Sequence, residues 1–364
     1  MPVAIVKYTP AHVDQVVAFN SRLLQNGYRD FALPADPANL GKGFEGWLAL
    51  DRDLVRGGYF LKHEMFSFSG DLLPVAFYNL SLSEAVIDRA FAGVSIKLVL
   101  SALEKQPRLY ALGMGGLDRP LPKFLRAMGW DLALVPFFFC AVRPARVLRN
   151  VSTLRHPPWR RALADLASAT GIATLGIGGL HAILRLTGGR TGGPTVEVVP
   201  EFEAWADQLW DASRQTFAMI GLRTAAALND LYPPSLERIS RLKISRGGAV
   251  IGWAVVRDTP MRGHTQFGDL RVGTIVDCLA EPSSERSVAA AAAAFLKRQG
   301  VDLIISNQSH QLWTAALKSI GFIEGPSNYA LATSKSLSAL IGPLKASMKT
   351  IHVTRGDGDG PIHL

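Results

Sequence analysis

The chain has 364 residues, 48% of them hydrophobic and 19% charged, with a mean hydropathy of +0.17, a balance that supports a large buried core and excludes general disorder. Thirty-nine Lys and Arg against 30 acidic residues give a formal charge of +9, which favours anionic partners. The basic residues stand singly or in pairs, densest at Arg143, Arg146 and Arg149 and then at Arg155, Arg160 and Arg161, so no polybasic tract of the DNA-binding kind is present.

The start, Met1-Pro2-Val3-Ala4-Ile5, lacks the charged and apolar regions of a secretory signal, so cytoplasmic residence is expected. Ala11 to Gln25 then reads as a helix. Arg56-Gly57-Gly58 reads as a hairpin turn into the apolar run Tyr59-Phe60-Leu61, and Pro74 to Glu84 as a strand. Ser95 to Gln106 has helical composition, Leu109 to Leu112 is a buried strand, and Leu121 to Met128 is an amphipathic helix closed by Gly129-Trp130. Phe137-Phe138-Phe139 before Cys140 is a strand for core packing. Cys140 and Cys278 lie far apart outside any ligand spacing, so neither a disulfide framework nor a metal site is expected.

A middle segment, 150–194, ends in Gly188-Gly189 and Gly192-Gly193-Pro194 and reads as a linker. Within it Leu166 to Leu184 carries no formal charge and approaches a membrane span, which takes about 20 residues. Its glycines and His181 favour a packed or interfacial helix, and Arg160 and Arg161 before it would suit peripheral contact with the anionic inner membrane.

Beyond the linker the order repeats. Phe202 to Phe217 is a helix, Arg246-Gly247-Gly248 a turn, Arg271 to Glu281 a strand and Ser287 to Gln299 a helix. Leu303 to Ser306 is a strand, and Leu312 to Ile320 a helix closed by Gly321-Phe322. Corresponding features are displaced by roughly 190 residues, in the same order, so the chain contains two copies of one unit. The expected domains are 1–149 and 195–364 about the 150–194 linker. A meander followed by a helix crossover implies that each is an α/β unit with a mixed, partly antiparallel sheet flanked by helices.

This order of elements resembles the GNAT superfamily of acyltransferases, in tandem form. In that family a fourth strand leads into a small-residue turn that opens the helix receiving the cofactor pyrophosphate. Ala90-Phe91-Ala92-Gly93-Val94-Ser95 followed by Ile96-Lys97 takes that place here. A helix opening on small residues presents backbone amides and the positive end of its dipole to phosphate oxygens. The resemblance therefore implies an acyl-CoA such as acetyl-CoA as co-substrate, held by Leu80, Leu82, Arg89, Ala92, Gly93, Val94, Ser95, Ile96 and Lys97. In the second copy the connection Pro282-Ser283-Ser284-Glu285-Arg286 has no glycine, and Glu285 suits capping, which leaves the donor to the first copy.

Direct transfer needs a base for the acceptor and a polarised carbonyl. Glu84 and Glu64 are the candidate bases in the first copy, and Tyr78 a candidate acid toward the leaving thiolate. In the second copy Asp277 lies in an apolar strand and needs a partner, for which His310 is a candidate, while Asn307 follows the next strand. Thr350 to Thr354 reads as a closing strand. Asp357 and Asp359 between glycines resemble the ends of tandem GNAT proteins of polysaccharide biosynthesis, which implies contact with a small or carbohydrate-type acceptor. The calcium-loop spacing is not met, so no metal is assigned. The expected activity is N-acyl transfer to an amine or hydroxyl. The alternatives are a Fem-type aminoacyl transferase using charged tRNA, and a non-catalytic scaffold of a membrane-associated glycan-assembly complex.

Overall fold

The computed structural model describes residues 3–29, 31–150 and 193–358. Its strands, in chain order, are β1 (Ala4–Lys7), β2 (Phe44–Asp51), β3 (Leu54–Phe68), β4 (Asp71–Ser83), β5 (Leu109–Leu112), β6 (Asp131–Leu134), β7 (Phe137–Ala141), β8 (Thr195–Val199), β9 (Met219–Gly221), β10 (Ile239–Arg246), β11 (Ala249–Pro260), β12 (Arg271–Ala280), β13 (Leu303–Asn307), β14 (Ile323–Gly325), β15 (Ala330–Thr333) and β16 (Ile351–His352). The helices used below are α1 (Val13–Gln25), α2 (Ala92–Lys105), α3 (Pro120–Ala127), α4 (Pro144–Asn150), α5 (Ala204–Ser213), α6 (Ala225–Leu231), α7 (Glu285–Arg298) and α8 (Gln311–Ser319).

Two compact units result, and neither follows the sequential boundary expected at 149 and 195. Among the described residues, unit 1 takes in those up to Phe66, Leu72–Ala133 and Ala330–Lys345. Unit 2 takes Ser67–Asp71, those from Leu134 to Tyr329, and those from Ala346 on. The reason lies in the closing strands. β15 comes from the second half of the chain but lies between β5 and β6 in unit 1, in the order β1-β2-β3-β4-β5-β15-β6. β7 comes from the first half but lies between β14 and β13 in unit 2, in the order β14-β7-β13-β12-β11-β10-β8. Each half thus keeps one of its last two strands and contributes the other to the opposite unit. Phe138 and Cys140 of β7 are buried in unit 2's core, and Ala332 of β15 in unit 1's.

In unit 1 the sheet is covered on one face by α2 and α3. Tyr59, Leu61, Ala76 and Tyr78 there meet Val94, Leu98, Ala102 and Leu125. On the other face Val16, Phe19 and Leu23 of α1 pack against Leu48, Val55 and Phe60. Unit 2 repeats the arrangement. α7 and α8 lie on Ile275, Cys278 and Ile304, and α5 and α6 on Trp253, Val255 and Val276. The expected mixed sheets are present. β1 to β2, β2 to β3, β10 to β11 and β11 to β12 are antiparallel, while β4 to β5 and β12 to β13 are parallel.

Two local expectations change. Arg246-Gly247-Gly248 is a hairpin turn, with both glycines at positive φ. Arg56-Gly57-Gly58 lies inside β3 instead: a Cβ on Gly57 would stand 2.5 Å from the Leu82 carbonyl oxygen, and one on Gly58 2.9 Å from that of Trp47. These glycines serve close backbone approach, not turning. The expected closing strand 350–354 shortens to β16, which pairs in parallel with β9. No helix among the described residues is long and apolar enough to cross a membrane, and the Leu166 to Leu184 segment lies outside them.

Candidate functional site

In a parallel pair the carboxyl ends of both strands open on the same side, and ligands bind where they part. β4 and β5 pair only at Ala76↔Leu109 and Phe77↔Tyr110. β4 then runs on beside β3 but without β5 to Ser83, bent at Leu80, whose φ of 46° lies in the left-handed region and whose amide donates to Asn79 Oδ1 at 2.7 Å. The result is a fork rooted at Tyr110, with Leu80 exposed on one prong.

Two helix starts flank the fork. Beyond β4, two short 3-10 turns, the second capped by Asp88 Oδ1 on the Ala90 amide at 2.9 Å, lead into α2, whose first turn receives no side-chain cap. Ala92, Gly93, Ile96 and Lys97 are exposed, and a Cβ on Gly93 would meet nothing within 4 Å. Beyond β5, Gly113, Gly115 and Gly116 all take positive φ on the way to α3. This second loop escaped the sequence reading, although Gly-x-Gly-Gly after a buried strand was its signal.

The other residues expected at the donor divide. Leu80 and Ile96 line the open mouth, Leu82 is half-buried, and Arg89 is exposed. Val94 belongs to the core. Ser95 Oγ shares a hydrogen bond of 2.7 Å with Ser83 Oγ, and Lys97 Nζ donates to the Val3 carbonyl at 3.2 Å.

Of the expected acid and base groups, one stands at the fork. The Tyr110 phenol donates to Glu64 Oε2, Lys62 Nζ lies 2.6 Å from Glu64 Oε1, and the Tyr110 ring stacks on Phe77 at 5.1 Å. Glu84 has a different place. Arg22 Nε donates to its Oε1 at 2.5 Å and Arg56 to its Oε2 at 2.6 Å, and at 4% exposure the carboxylate is closed off between two guanidinia, whereas Glu64 is only half-buried. Tyr78 is wholly buried, its hydroxyl donates to Ser81 Oγ at 2.6 Å, and burial pushes it well up from its ordinary value, away from the range of an acid for a thiolate.

Unit 2 has the same fork with a different content. β12 and β13 pair from Val272↔Leu303 to Ile275↔Ser306 and then part. Between the prongs runs the chain's own segment Ile351–Asp357. His352 Nε2 lies 3.0 Å from the Cys278 carbonyl, the Ser309 amide donates to the Val353 carbonyl at 3.2 Å, and Thr354 bridges Gln308. A buried ion cluster pins this strap. Arg223 lies 2.7 Å from Asp277 Oδ2 and 2.5 Å from Asp357 Oδ1, Tyr232 donates to Asp277 Oδ2 at 2.9 Å, and Thr354 Oγ1 to Asp277 Oδ1 at 3.1 Å. Burial pushes the Asp277 carboxyl up against the pull of Arg223.

The partner of Asp277 is therefore Arg223 rather than His310. His310 instead packs its ring 4.8 Å from Phe217, and burial lowers its pKa to about 4. Asn307 and Asp357, expected to face an acceptor, are 1% and 4% exposed and hold the chain to itself, Asn307 by accepting from Arg355 Nε at 2.9 Å. Asp359 lies outside the described residues. Among those residues no group of three His, Cys, Asp or Glu side chains is placed to hold a metal.

No protein-family model and no curated protein matches the chain. Solved structures do. A conserved protein from Enterococcus faecalis V583, described as a probable N-acyltransferase, aligns over 94% of this chain and 75% of its own at TM-score 0.55 and 11% identity. A GCN5-related N-acetyltransferase from Anabaena variabilis aligns over 91% and 72% at TM-score 0.54 and 12% identity. N-myristoyltransferase from Saccharomyces cerevisiae, solved with myristoyl-CoA and inhibitors, aligns over 91% and 79% at TM-score 0.52 and 11% identity. At such identities the likeness is one of fold, and the fold is two GNAT-like units, each a mixed sheet flanked by helices.

Proposed function

We propose that the protein is an acyl-CoA-dependent N-acyltransferase that takes its donor in the fork of unit 1. The supporting observation is the contrast between the two forks. Unit 1 presents an exposed, uncapped helix start and glycine-lined backbone, while the corresponding space in unit 2 holds the strap. Pantetheine is an extended chain with two amides, suited to the free edge of β4 beyond Phe77. The pyrophosphate would meet the first-turn amides of α2 at Gly93, where no side chain intrudes.

In this reading the acceptor nitrogen attacks the thioester carbon, the carbon–sulfur bond breaks, and the acyl group passes directly with no covalent enzyme intermediate. The ammonium proton goes to Glu64, held by Lys62 and Tyr110, and the departing thiolate takes a proton from solvent. The acceptor is an amine or hydroxyl of a small or carbohydrate-type molecule, and the protein works in the cytoplasm, peripheral to the membrane.

Calorimetry of acetyl-CoA and myristoyl-CoA on the full chain and on Gly93→Trp tests the assignment. Micromolar binding of one donor, lost in the variant, supports it. Binding unaffected by the indole removes the donor from this fork, and absence of binding for both donors ends the acyl-CoA reading. Co-purifying tRNA would then favour aminoacyl transfer, and salt-resistant membrane association a scaffold.

A further inference from the structure

A second site stands on unit 2's sheet, on the face that carries Trp253 and Val255 against α5 and α6. The register places Ile239↔Arg257 and Arg241↔Val255 across β10 and β11, and Arg257↔Thr274 and Thr259↔Val272 across β11 and β12. Directly paired residues share a face, as do residues two apart on a strand. Arg241, Arg257, Thr259 and Thr274 therefore form one cluster across three strands, each within side-chain reach of the next.

These side chains hold donors with nothing to donate to. Arg241 Nη2, Arg257 Nε, Thr259 Oγ1 and Thr274 Oγ1 are all buried and make no hydrogen bond. Thr274 is 1% exposed and Arg241 6%, and Arg241 is fixed through its Nε to the Tyr232 carbonyl at 2.8 Å. Leaving such groups buried and unpaired is costly, more so for charged ones, so a site that gathers four is built for an acceptor.

Charge points the same way. Two neighbouring carboxylates are engaged elsewhere: Asp277 by Arg223, Tyr232 and Thr354, and Asp258 by Arg271. Beyond the burial that weighs against its charge, the group acting on Arg257 is another cation, Arg238, while on Arg241 burial outweighs the pull of Glu201. Two desolvated guanidinia with unpaired donors, together with two hydroxyls, call for an anion. Four donors from three strands match a tetrahedral oxyanion, whose several oxygens each accept in a different direction. Arg257 and Thr259 are half-buried and Arg238 beside them is exposed, which gives the way in.

We propose that Arg241, Arg257, Thr259 and Thr274 bind the phosphate group of a small phosphorylated ligand. The test is titration of the full chain with inorganic phosphate at constant ionic strength, followed by 31P line-broadening. Saturable binding is expected, weakened at least tenfold in Arg257→Gln and in Thr274→Val, and severalfold in Arg257→Lys, which keeps the charge but not the fork of donors. Gly93→Trp in unit 1 should leave it unchanged, so phosphate bound at the proposed donor helix is told apart and the two assignments fail independently. No saturable binding, binding indifferent to Arg257→Lys and Thr274→Val, loss in Gly93→Trp, or equal displacement by acetate would each overturn the proposal. If Arg257→Gln does not fold, the lysine and valine variants decide.

Discussion

Glu84 shows how a residue's neighbours overrule its type. A carboxylate at the end of β4 is a reasonable base on sequence, yet Arg22 and Arg56 enclose it and bury it. Removing the charge leaves two guanidinia on one amide, and breaking a buried pair costs about 3 kcal/mol or more. Glu84→Gln should therefore lower stability by roughly that amount in urea unfolding while leaving the affinity for the acyl donor unchanged. The histidines make a second case. His310 and His352 are buried without a partner on Nδ1, and burial lowers both, His310 to about 4. Unfolded, each imidazole takes a proton near pH 6.5. Folded, His310 waits until about pH 4, so stability falls as pH drops between these values and levels off below, by about 3 kcal/mol for His310. His310→Gln should flatten that part of a stability-against-pH profile, and an unchanged profile would refute the burial argument. That Asp277 needed a partner was legible, because a charge in an apolar strand must be paired. That the partner is Arg223 was not, since α6's approach and the strap's return decide it.

At the scale of elements, most helices and strands follow the periodicity, and the glycine-closed helices end where their caps require. Gly129 and Gly321 both take positive φ. What the pattern could not distinguish was a glycine that turns the chain from one that lets backbones touch. Gly247→Ala meets open space and bears the left-handed penalty alone, about 1 kcal/mol. Gly57→Ala drives a methyl to 2.5 Å from the Leu82 carbonyl of β4, and overpacking against backbone costs about 2–3 kcal/mol. Thermal denaturation of the two variants should rank them in that order. The forks were partly readable. The small-residue opening of α2 was visible, but the extent of β4–β5 pairing depends on register, and the glycine loop after β5 gains meaning only once β4 lies beside it.

For the whole molecule, the exchange of closing strands governs what can fold alone. The fragment 1–149 lacks β15, so β5 would present a bare edge and the core of unit 1 would lose Ala332. It should show no cooperative thermal transition, and attaching residues 326–345 through a Gly/Ser linker should restore one. The sequence by itself determined the α/β class and the mixed sheets flanked by helices, because these rest on local periodicity and order. Only the tertiary structure decided which half supplies each closing strand, what fills the second fork and which buried side-chain donors lack a hydrogen-bond partner. Those outcomes rest on pairings between residues far apart in the chain, and no local pattern encodes them.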